Sequence, residues 1–257
     1  MNINIFGSTG VIGTKVLKLI DRYDLKLSIN LLVCKQNYKK LIYQINKYKP
    51  KYVYIENEKY ISYLKKRKLN TNIILSKEKL DYLLLNSKTN MSILSIDGIS
   101  ALKYLNSIIK NTDNLGLVNK ECIVSAGHLF SKSNFYKKTN IYPLDSEHFS
   151  LFKLFNKKII SKEIKKIYIT ASGGSFYKKK IKKSKIKFQD VIDHPKWKMG
   201  IKNSIDSSTL ANKCLEIIEA KYLFNIDFEK IDILIHPESL VHSIIEYNDY
   251  TYTFNYF

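Results

Sequence analysis

Strand-like and helix-like segments alternate along the first half of the chain, and this alternation restricts the possible folds more than any other feature. The short apolar runs cover residues 3–6, 28–34, 52–55 and 91–96. The segments with helical periodicity cover residues 14–23, 38–47 and 100–109. Alternation of this kind predicts an α/β fold with a doubly wound parallel sheet.

The order of the predicted elements changes after Pro143. The later elements are a strand over residues 166–170, a glycine-containing turn, a helix over residues 207–222 and a strand over residues 231–235. This pattern predicts a second α/β domain. We therefore place the first domain at residues 1–143 and the second at residues 144–257.

The chain is strongly basic, with a formal net charge of +20 over 257 residues. Clustered cations attract nucleic-acid phosphates, and residues 178–187 form a lysine-rich run. Arg22 and Arg67 are the only arginines, although the guanidinium group is the side chain that favours base and phosphate recognition. We interpret most of the charge as a solvated surface and keep a nucleic-acid-binding protein as the alternative from another class.

The cysteines and the hydropathy pattern indicate a cytoplasmic protein. Cys34, Cys122 and Cys214 are scattered, and no two of them have CxxC spacing. Such spacing suits reduced thiols. No apolar run reaches the length that spans a membrane, so we expect no membrane partner.

A glycine-rich segment, GSTGVIG from Gly7, follows the first predicted strand and precedes the first predicted helix. Glycines at this place let a pyrophosphate approach backbone N–H groups at the positive end of a helix, as in Rossmann-like domains. Lys35, Gln36 and Asn37 end the second strand, where NAD enzymes carry an acidic residue. The segment predicts a nucleotide site that favours NADP, and a tight turn made only for packing is the alternative.

Two acidic segments predict a metal site in the second domain. Asp145 and Glu147 are two residues apart, so in an extended segment both carboxylates project from one face and repel each other unless a cation lies between them. Asp206 and Ser207 resemble a helix start. Asn212, Lys213 and Glu216 then follow at spacings that place them on one side of that helix. The alternative is a solvated strand edge and an ordinary exposed helix face.

Seven motifs occur in a fixed order along nearly the whole chain. They are GSTGVIG from Gly7, NKE from Asn119, LDSEH from Leu144, SGG from Ser172, HPKWKMG from His194, DSSTLANKCLE from Asp206 and HPESLVHS from His236. This series resembles the 1-deoxy-D-xylulose 5-phosphate reductoisomerase family. The resemblance implies rearrangement of 1-deoxy-D-xylulose 5-phosphate and its NADPH-dependent reduction to 2-C-methyl-D-erythritol 4-phosphate, a step of non-mevalonate isoprenoid biosynthesis. It also implies Mg²⁺ or Mn²⁺ and a homodimer.

The resemblance assigns roles to residues that match the family's motifs. The implied metal ligands are Asp145, Glu147 and Glu216, and with Lys120 these also form the implied catalytic set. The implied NADPH contacts are Thr9, Gly10, Val11, Ile12, Lys35, Gln36, Asn37, Asn119, Glu121 and Gly200. The implied contacts with the phosphorylated sugar are Lys120, Ser146, Glu147, Ser172, His194, Trp197, Ser207, Asn212, Lys213 and Glu216. Trp197 would cover the substrate. His236 and His242 remain open between a structural and a functional role.

The family also has a C-terminal helical domain beyond the point where this sequence stops. The resemblance therefore implies a catalytic domain that is C-terminally incomplete. The final residues, 251–257, alternate polar and aromatic side chains, which predicts an exposed edge strand. A truncated, inactive homologue that only binds NADPH is the alternative to an active enzyme.

Overall fold

The computed structural model describes residues 1–132, 139–155, 163–177, 186–192 and 201–256. The chain forms two compact units. The first contains residues 1–122 and 132–142, and the second contains residues 123–131 and 143–257. None of the helices in the described part of the chain combines the length and the apolar character needed to span a membrane.

The first unit is built around a seven-stranded sheet. Its strands are β1 (Asn2–Phe6), β2 (Ser28–Cys34), β3 (Tyr52–Ile55), β4 (Asn72–Ile74), β5 (Thr89–Leu94), β6 (Thr112–Leu117) and β7 (Asn140–Pro143). The helices are α1 (Val11–Arg22), α2 (Tyr38–Tyr48), α3 (Ile61–Lys65), α4 (Lys77–Asn86) and α5 (Leu102–Lys110), and α6 (Lys120–Lys132) begins here. The predicted doubly wound Rossmann-like fold is confirmed.

The strand order is β4-β3-β2-β1-β5-β6-β7, and the pairs from β4 through β6 are parallel. The chain therefore builds outward from β1 to β4 and then returns to place β5 on the other side of β1. In such sheets ligands bind at the carboxyl ends of the strands where the order reverses, which here is between β1 and β5. The GSTGVIG segment follows β1 and lies at this point.

The second unit contains a four-stranded sheet of order β11-β10-β8-β9. The strands are β8 (Ile164–Ala171), β9 (Ile231–Ile235), β10 (Val241–Tyr247) and β11 (Tyr252–Tyr256). The helices are α7 (Ser146–Phe155), α8 (Phe188–Ile192), α9 (Ile201–Ser208) and α10 (Ala211–Phe224). Leu151 and Leu154 of α7, Ala220 of α10, and Ile167 and Ile169 of β8 share one buried core. Through this core α7 and α10 pack against the sheet, and both helices carry predicted metal ligands.

Two local predictions in the second unit are wrong. The Asp145–Glu147 segment is not extended, because α7 begins at Ser146 and the backbone N–H of Phe149 donates to the carbonyl of Asp145 at 2.8 Å. Asp206 and Ser207 do not start the long helix. They belong to α9, where Lys202 pairs with Asp206 across one helical turn, and α10 begins at Ala211.

The predicted aromatic edge strand is β11, which pairs antiparallel with β10 at one end of the sheet. Tyr252, Phe254 and Tyr256 are exposed, whereas Thr253 and Asn255 between them are less exposed. The Asn255 side chain donates to the Ser150 carbonyl of α7 at 3.0 Å. The aromatic side chains therefore lie on the exposed face of β11, and the polar side chains between them lie on the opposite face.

Candidate functional site

The glycine-rich loop of the first unit is held tightly against the sheet edge. Gly7 has φ +82°, and a Cβ atom there would lie 2.5 Å from the carbonyl oxygen of Ser95, which follows β5. A Cβ atom on Gly13 would lie 2.4 Å from the Gly7 carbonyl oxygen. Both positions therefore require glycine. Gly7 needs it for the positive φ angle and the close approach to Ser95, and Gly13 needs it because α1 packs closely on the loop.

The start of α1 offers backbone donors to an anion. Gly10 is the N-cap residue, and with no side chain it makes no capping hydrogen bond. The first turn of the helix also carries no acidic residue. The first N–H groups of a helix lack acceptors within the helix, and the helix dipole makes this end positive. The geometry suits a phosphate group and fits the predicted contacts at Thr9, Gly10, Val11 and Ile12.

Other predicted cofactor contacts lie at the same edge of the sheet. Lys35, Gln36 and Asn37 follow β2 and are exposed, and the Asn37 side chain caps α2 by accepting from the Lys40 backbone N–H. Asn119 follows β6 and is buried. Its amide donates to the carbonyls of Ile96 and Gly98 at 2.7 and 2.9 Å, so it ties two of these loops together. Glu121 lies in the first turn of α6.

Replacing Gly13 by alanine tests the packing of this loop. The added methyl group would overlap the Gly7 carbonyl and the Ser8 Cα atom, so Gly13→Ala should lower the free energy of unfolding by about 2 kcal/mol. The loop must also shift, and NADPH binding should weaken. Urea unfolding and an NADPH fluorescence titration measure the two effects. Gly10→Ala is the stability control: its methyl group would make one tight contact, with the Gly7 carbonyl oxygen at 3.2 Å, so it should cost less stability than Gly13→Ala. Equal stability of the two variants would contradict the packing argument.

Three carboxylates converge in the second unit. Asp145 immediately precedes α7, Glu147 lies in its first turn, and Glu216 lies on α10. One oxygen from each lies within 4.8 Å of the other two. The Glu216 side chain is buried, whereas those of Asp145 and Glu147 retain 15% and 14% exposure. The cluster is therefore accessible from one side and supported from the other.

Lys213 lies within this cluster. Its ammonium group donates to Glu147 at 2.6 Å and also to Glu216, one turn further along α10. Burial would raise the pKa of the Glu147 carboxyl, but the charge of Lys213 and the neighbouring side chains of His242, Asp145 and Lys213 outweigh it and hold that pKa well below its usual value. Burial would lower the pKa of Lys213, but the charges of Glu216, Glu147 and Asp145 raise it. Both groups are therefore ionised at neutral pH.

The chemistry of this cluster fits a divalent cation. Carboxylate oxygens are the ligands that Mg²⁺ and Mn²⁺ prefer. Three carboxylates against one ammonium group leave two negative charges in excess, which is the charge that such an ion neutralises. The Asn212 side-chain amide also donates to Glu216. Glu147 and Glu216 are thus each oriented by neighbouring donors, as metal sites require.

A second, deeper layer of polar side chains supports the cluster. His148 is fully buried on α7, and its Nε2 atom lies 2.9 Å from the Glu216 backbone carbonyl. Its Nδ1 atom faces the buried Glu219 of α10 at 3.2 Å. His242 of β10 lies 3.9 Å from Glu147. We did not predict roles for His148 and Glu219, although LDSEH contains the histidine and Glu219 lies one turn after Glu216.

The predicted phosphate-binding residues come from three nearby segments of the same unit. Ser172 begins a turn whose Gly174 has φ +72°, and a Cβ atom there would lie 2.1 Å from the Ser207 carbonyl oxygen. The turn therefore lies directly against the end of α9. Asn212 and Lys213 lie at the start of α10. Hydroxyl, amide and ammonium donors of this kind suit a phosphate group.

The other predicted site residues have different positions. Lys120 is buried at the start of α6, in the first unit. Ser146 donates to its neighbour Glu147 at 2.7 Å. His194, Trp197 and Gly200 lie outside the described residues, as does most of the lysine run over residues 178–187. His236 accepts from the Leu240 backbone N–H at 3.1 Å, which is a structural contact.

Models of one protein family match most of the chain. Residues 3–127 match the 1-deoxy-D-xylulose 5-phosphate reductoisomerase model, and residues 141–224 match the model of that family's C-terminal domain. The reductoisomerase of Pelagibacter ubique is 41% identical over 255 residues, covering 96% of this chain and 64% of the relative. The Clostridium botulinum (strain Langeland) enzyme is 38% identical, with 96% and 66% covered. The chain thus spans about two thirds of the length of these relatives.

Solved structures agree with this assignment. A DOX-P reductoisomerase in complex with NADPH, fosmidomycin and magnesium superimposes with a TM-score of 0.90 and 32% identity, covering 100% of this chain and 66% of the other. The Zymomonas mobilis enzyme in complex with NADPH superimposes with a TM-score of 0.86 and 30% identity, covering 99% and 66%. With its motifs, both folds and both family models in agreement, the chain belongs to the 1-deoxy-D-xylulose 5-phosphate reductoisomerase family.

Proposed function

We propose that this chain catalyses the rearrangement of 1-deoxy-D-xylulose 5-phosphate and its reduction to 2-C-methyl-D-erythritol 4-phosphate, using NADPH and Mg²⁺ or Mn²⁺. The observation that carries the proposal is the cluster of Asp145, Glu147 and Glu216 around Lys213. Relatives in complex with NADPH, with magnesium and with fosmidomycin support it. We further propose a cytoplasmic homodimer.

The three carboxylates would hold the metal. A bound divalent ion acts as a Lewis acid on substrate oxygens and stabilises the negative charge that develops as a carbon–carbon bond breaks and re-forms. Asn212 and Lys213 hold the Glu216 carboxylate in a single orientation, and Ser146 does the same for Glu147. Preorganised ligands avoid the cost of rearrangement when charge develops. Ser146 would donate a hydrogen bond to a reacting oxygen, and the family's motif supports Lys120 as a further catalytic residue.

The substrate phosphate would bind to the donors of the second unit. Ser172, Ser207, Asn212 and Lys213 supply hydroxyl, amide and ammonium groups, and His194 and Trp197 complete the proposed substrate contacts. Lys213 also neutralises the carboxylates. Its positive charge would thus attract the phosphate, whereas the carboxylates that it neutralises in the metal-free site are the ligands proposed for the metal.

The first unit would bind NADPH, which supplies the hydride for the reduction. The first turn of α1 presents uncapped N–H groups to the pyrophosphate. Lys35, Gln36 and Asn37 follow β2 without an acidic residue among them, so a 2′-phosphate meets no repulsion from these side chains. Asn119 after β6 and Glu121 in the first turn of α6 are further proposed NADPH contacts, as is Gly200, which lies outside the described residues.

The direct test is loss of NADPH absorbance on adding 1-deoxy-D-xylulose 5-phosphate to the purified chain, with Mn²⁺ and with EDTA. We expect oxidation that requires both the metal and the substrate. Oxidation that persists in EDTA would contradict the metal assignment. A folded chain that binds NADPH and oxidises none would instead support the homologue that only binds the cofactor.

A further inference from the structure

We infer that Gln44 of α2 is a positioning residue that holds the glycine-rich loop in its NADPH-binding conformation. This inference rests on the proposed function of the first unit. Gln44 is 2% exposed and shares the buried face of α2 with Leu41, Ile42 and Ile45. A buried amide costs free energy unless its donors and acceptor are satisfied. A hydrogen-bonding partner should therefore explain why the Gln44 amide occupies this apolar face.

The partner of Gln44 is Ser8, the second residue of the loop, which is also fully buried. Gln44 Nε2 donates to the Ser8 backbone carbonyl at 2.8 Å. Gln44 Oε1 accepts from the Ser8 hydroxyl at 2.9 Å. The carbonyl can only accept, so it requires the NH₂ end of the amide and leaves Oε1 for the hydroxyl. The two hydrogen bonds together specify one orientation of both residues.

These contacts determine which way the loop peptides point. In a trans peptide the carbonyl oxygen of one residue and the N–H of the next point in opposite directions. Holding the Ser8 carbonyl towards α2 therefore turns the Thr9 N–H away from α2. The described residues provide no hydrogen-bond acceptor for the Thr9 N–H, so it remains available for a ligand.

Further contacts restrain the same loop. The Lys40 ammonium group of α2 donates to the Thr9 carbonyl at 2.9 Å, and the Ser8 N–H donates to the Val33 carbonyl of β2 at 3.0 Å. Ser8 is thus held through its N–H, its carbonyl and its hydroxyl. Thr14 Oγ1 also donates to the Gly10 carbonyl at 2.6 Å and approaches the Ser8 carbonyl at 3.4 Å. Among the described residues only Gln44 contacts both the carbonyl and the hydroxyl of Ser8, so its amide should fix the orientation of Ser8 more than any other single side chain.

Gln44→Met tests this role, because methionine keeps the length of the side chain and removes both hydrogen bonds. We expect the NADPH dissociation constant to rise about tenfold, as for the loss of one to two net hydrogen bonds. Hydrogen–deuterium exchange of the Gly7, Ser8 and Gly10 amides, which donate to the Val33 and Gly7 carbonyls, should become faster in the free protein. Asn46→Met, at an exposed position on the same helix, is the matched control and should leave both measurements unchanged.

A double-mutant cycle separates positioning from general packing. Ser8→Ala removes the hydroxyl contact and keeps the bond from Gln44 to the Ser8 carbonyl, so its effect should be smaller than that of Gln44→Met. If the two residues act through one contact, the double variant should bind NADPH no more weakly than Gln44→Met alone. Additive effects would overturn the inference, as would wild-type affinity in Gln44→Met.

Failure of the proposed function would give a different result. A wild-type chain that binds no NADPH would refute the cofactor assignment, and amide exchange would still decide the role of Gln44. Faster exchange in Gln44→Met, with wild-type exchange in Asn46→Met, would support positioning of the loop. Unchanged exchange in both variants would overturn it.

Discussion

Glu216→Gln should abolish metal-dependent NADPH oxidation and leave NADPH binding intact. The substitution keeps the shape of a 1% exposed side chain and removes one of three converging charges. Loss of an outer-shell partner of a metal ligand already weakens binding 10- to 100-fold, so loss of a charged ligand should weaken Mn²⁺ binding about 100-fold or more. Mn²⁺ titration followed by electron paramagnetic resonance measures this directly, independently of turnover.

Glu229→Gln is the matched control for this prediction. Glu229 is exposed shortly after α10 and lies outside the cluster, so its amide variant should bind Mn²⁺ like the wild type. The NADPH dissociation constant should stay within about twofold in both variants, because substitutions without shared partners act independently. Equal Mn²⁺ affinity and activity in Glu216→Gln would show that the metal assignment is wrong.

The sequence predicts the first unit well because its signals are local. Strand length, helical periodicity and the glycines after β1 are each readable within about ten residues, and together they identify a doubly wound sheet. The i, i+3 and i, i+4 spacings on α10 likewise place Lys213 and Asn212 beside Glu216, as the structure shows. These spacings are properties of the helix itself and need no tertiary information.

The errors arise where two local interpretations compete. Asp145 and Glu147 suit an extended segment, but the buried positions 148, 151 and 154 follow a helical period, and packing on the sheet favours the helix. Asp206 and Ser207 resemble a cap, but Asp206 pairs with Lys202 in α9 and Ser208 donates to the Ile205 carbonyl. The polar groups that resemble a cap of α10 therefore make their contacts within α9 instead.

The contacts of His148 depend on tertiary structure and could not be predicted from local sequence. His148 and Glu216 are 68 residues apart, and only the packing of α7 on α10 brings them together. Full burial against Glu219 and the Glu216 backbone makes His148 part of the support for the acidic cluster.

Lys213→Met should destabilise the metal-free protein more than most single substitutions. Lys213 is buried and is bonded to both Glu147 and Glu216, so its removal leaves carboxylates that are buried without a compensating charge. Breaking a buried ion pair in this way costs about 3 kcal/mol or more of unfolding free energy. Urea unfolding followed by circular dichroism in EDTA measures the loss.

A divalent ion should reverse part of this loss, because it supplies the positive charge that the variant lacks. Saturation to 100 times the dissociation constant adds about 2.7 kcal/mol to the stability of any protein that binds the ion only when folded. Lys221→Met, on the same helix, is the control. Lys221 is more exposed, its partner Asp227 lies 3.9 Å away and its ammonium group lies 4.6 Å from the centre of the Phe228 ring, so the loss should be about 1 kcal/mol or less. Adding Glu147→Gln to Lys213→Met should recover stability, because one fewer buried carboxylate is then uncompensated. If Lys213→Met instead unfolds in EDTA at the wild-type urea concentration, Lys213 does not neutralise this cluster.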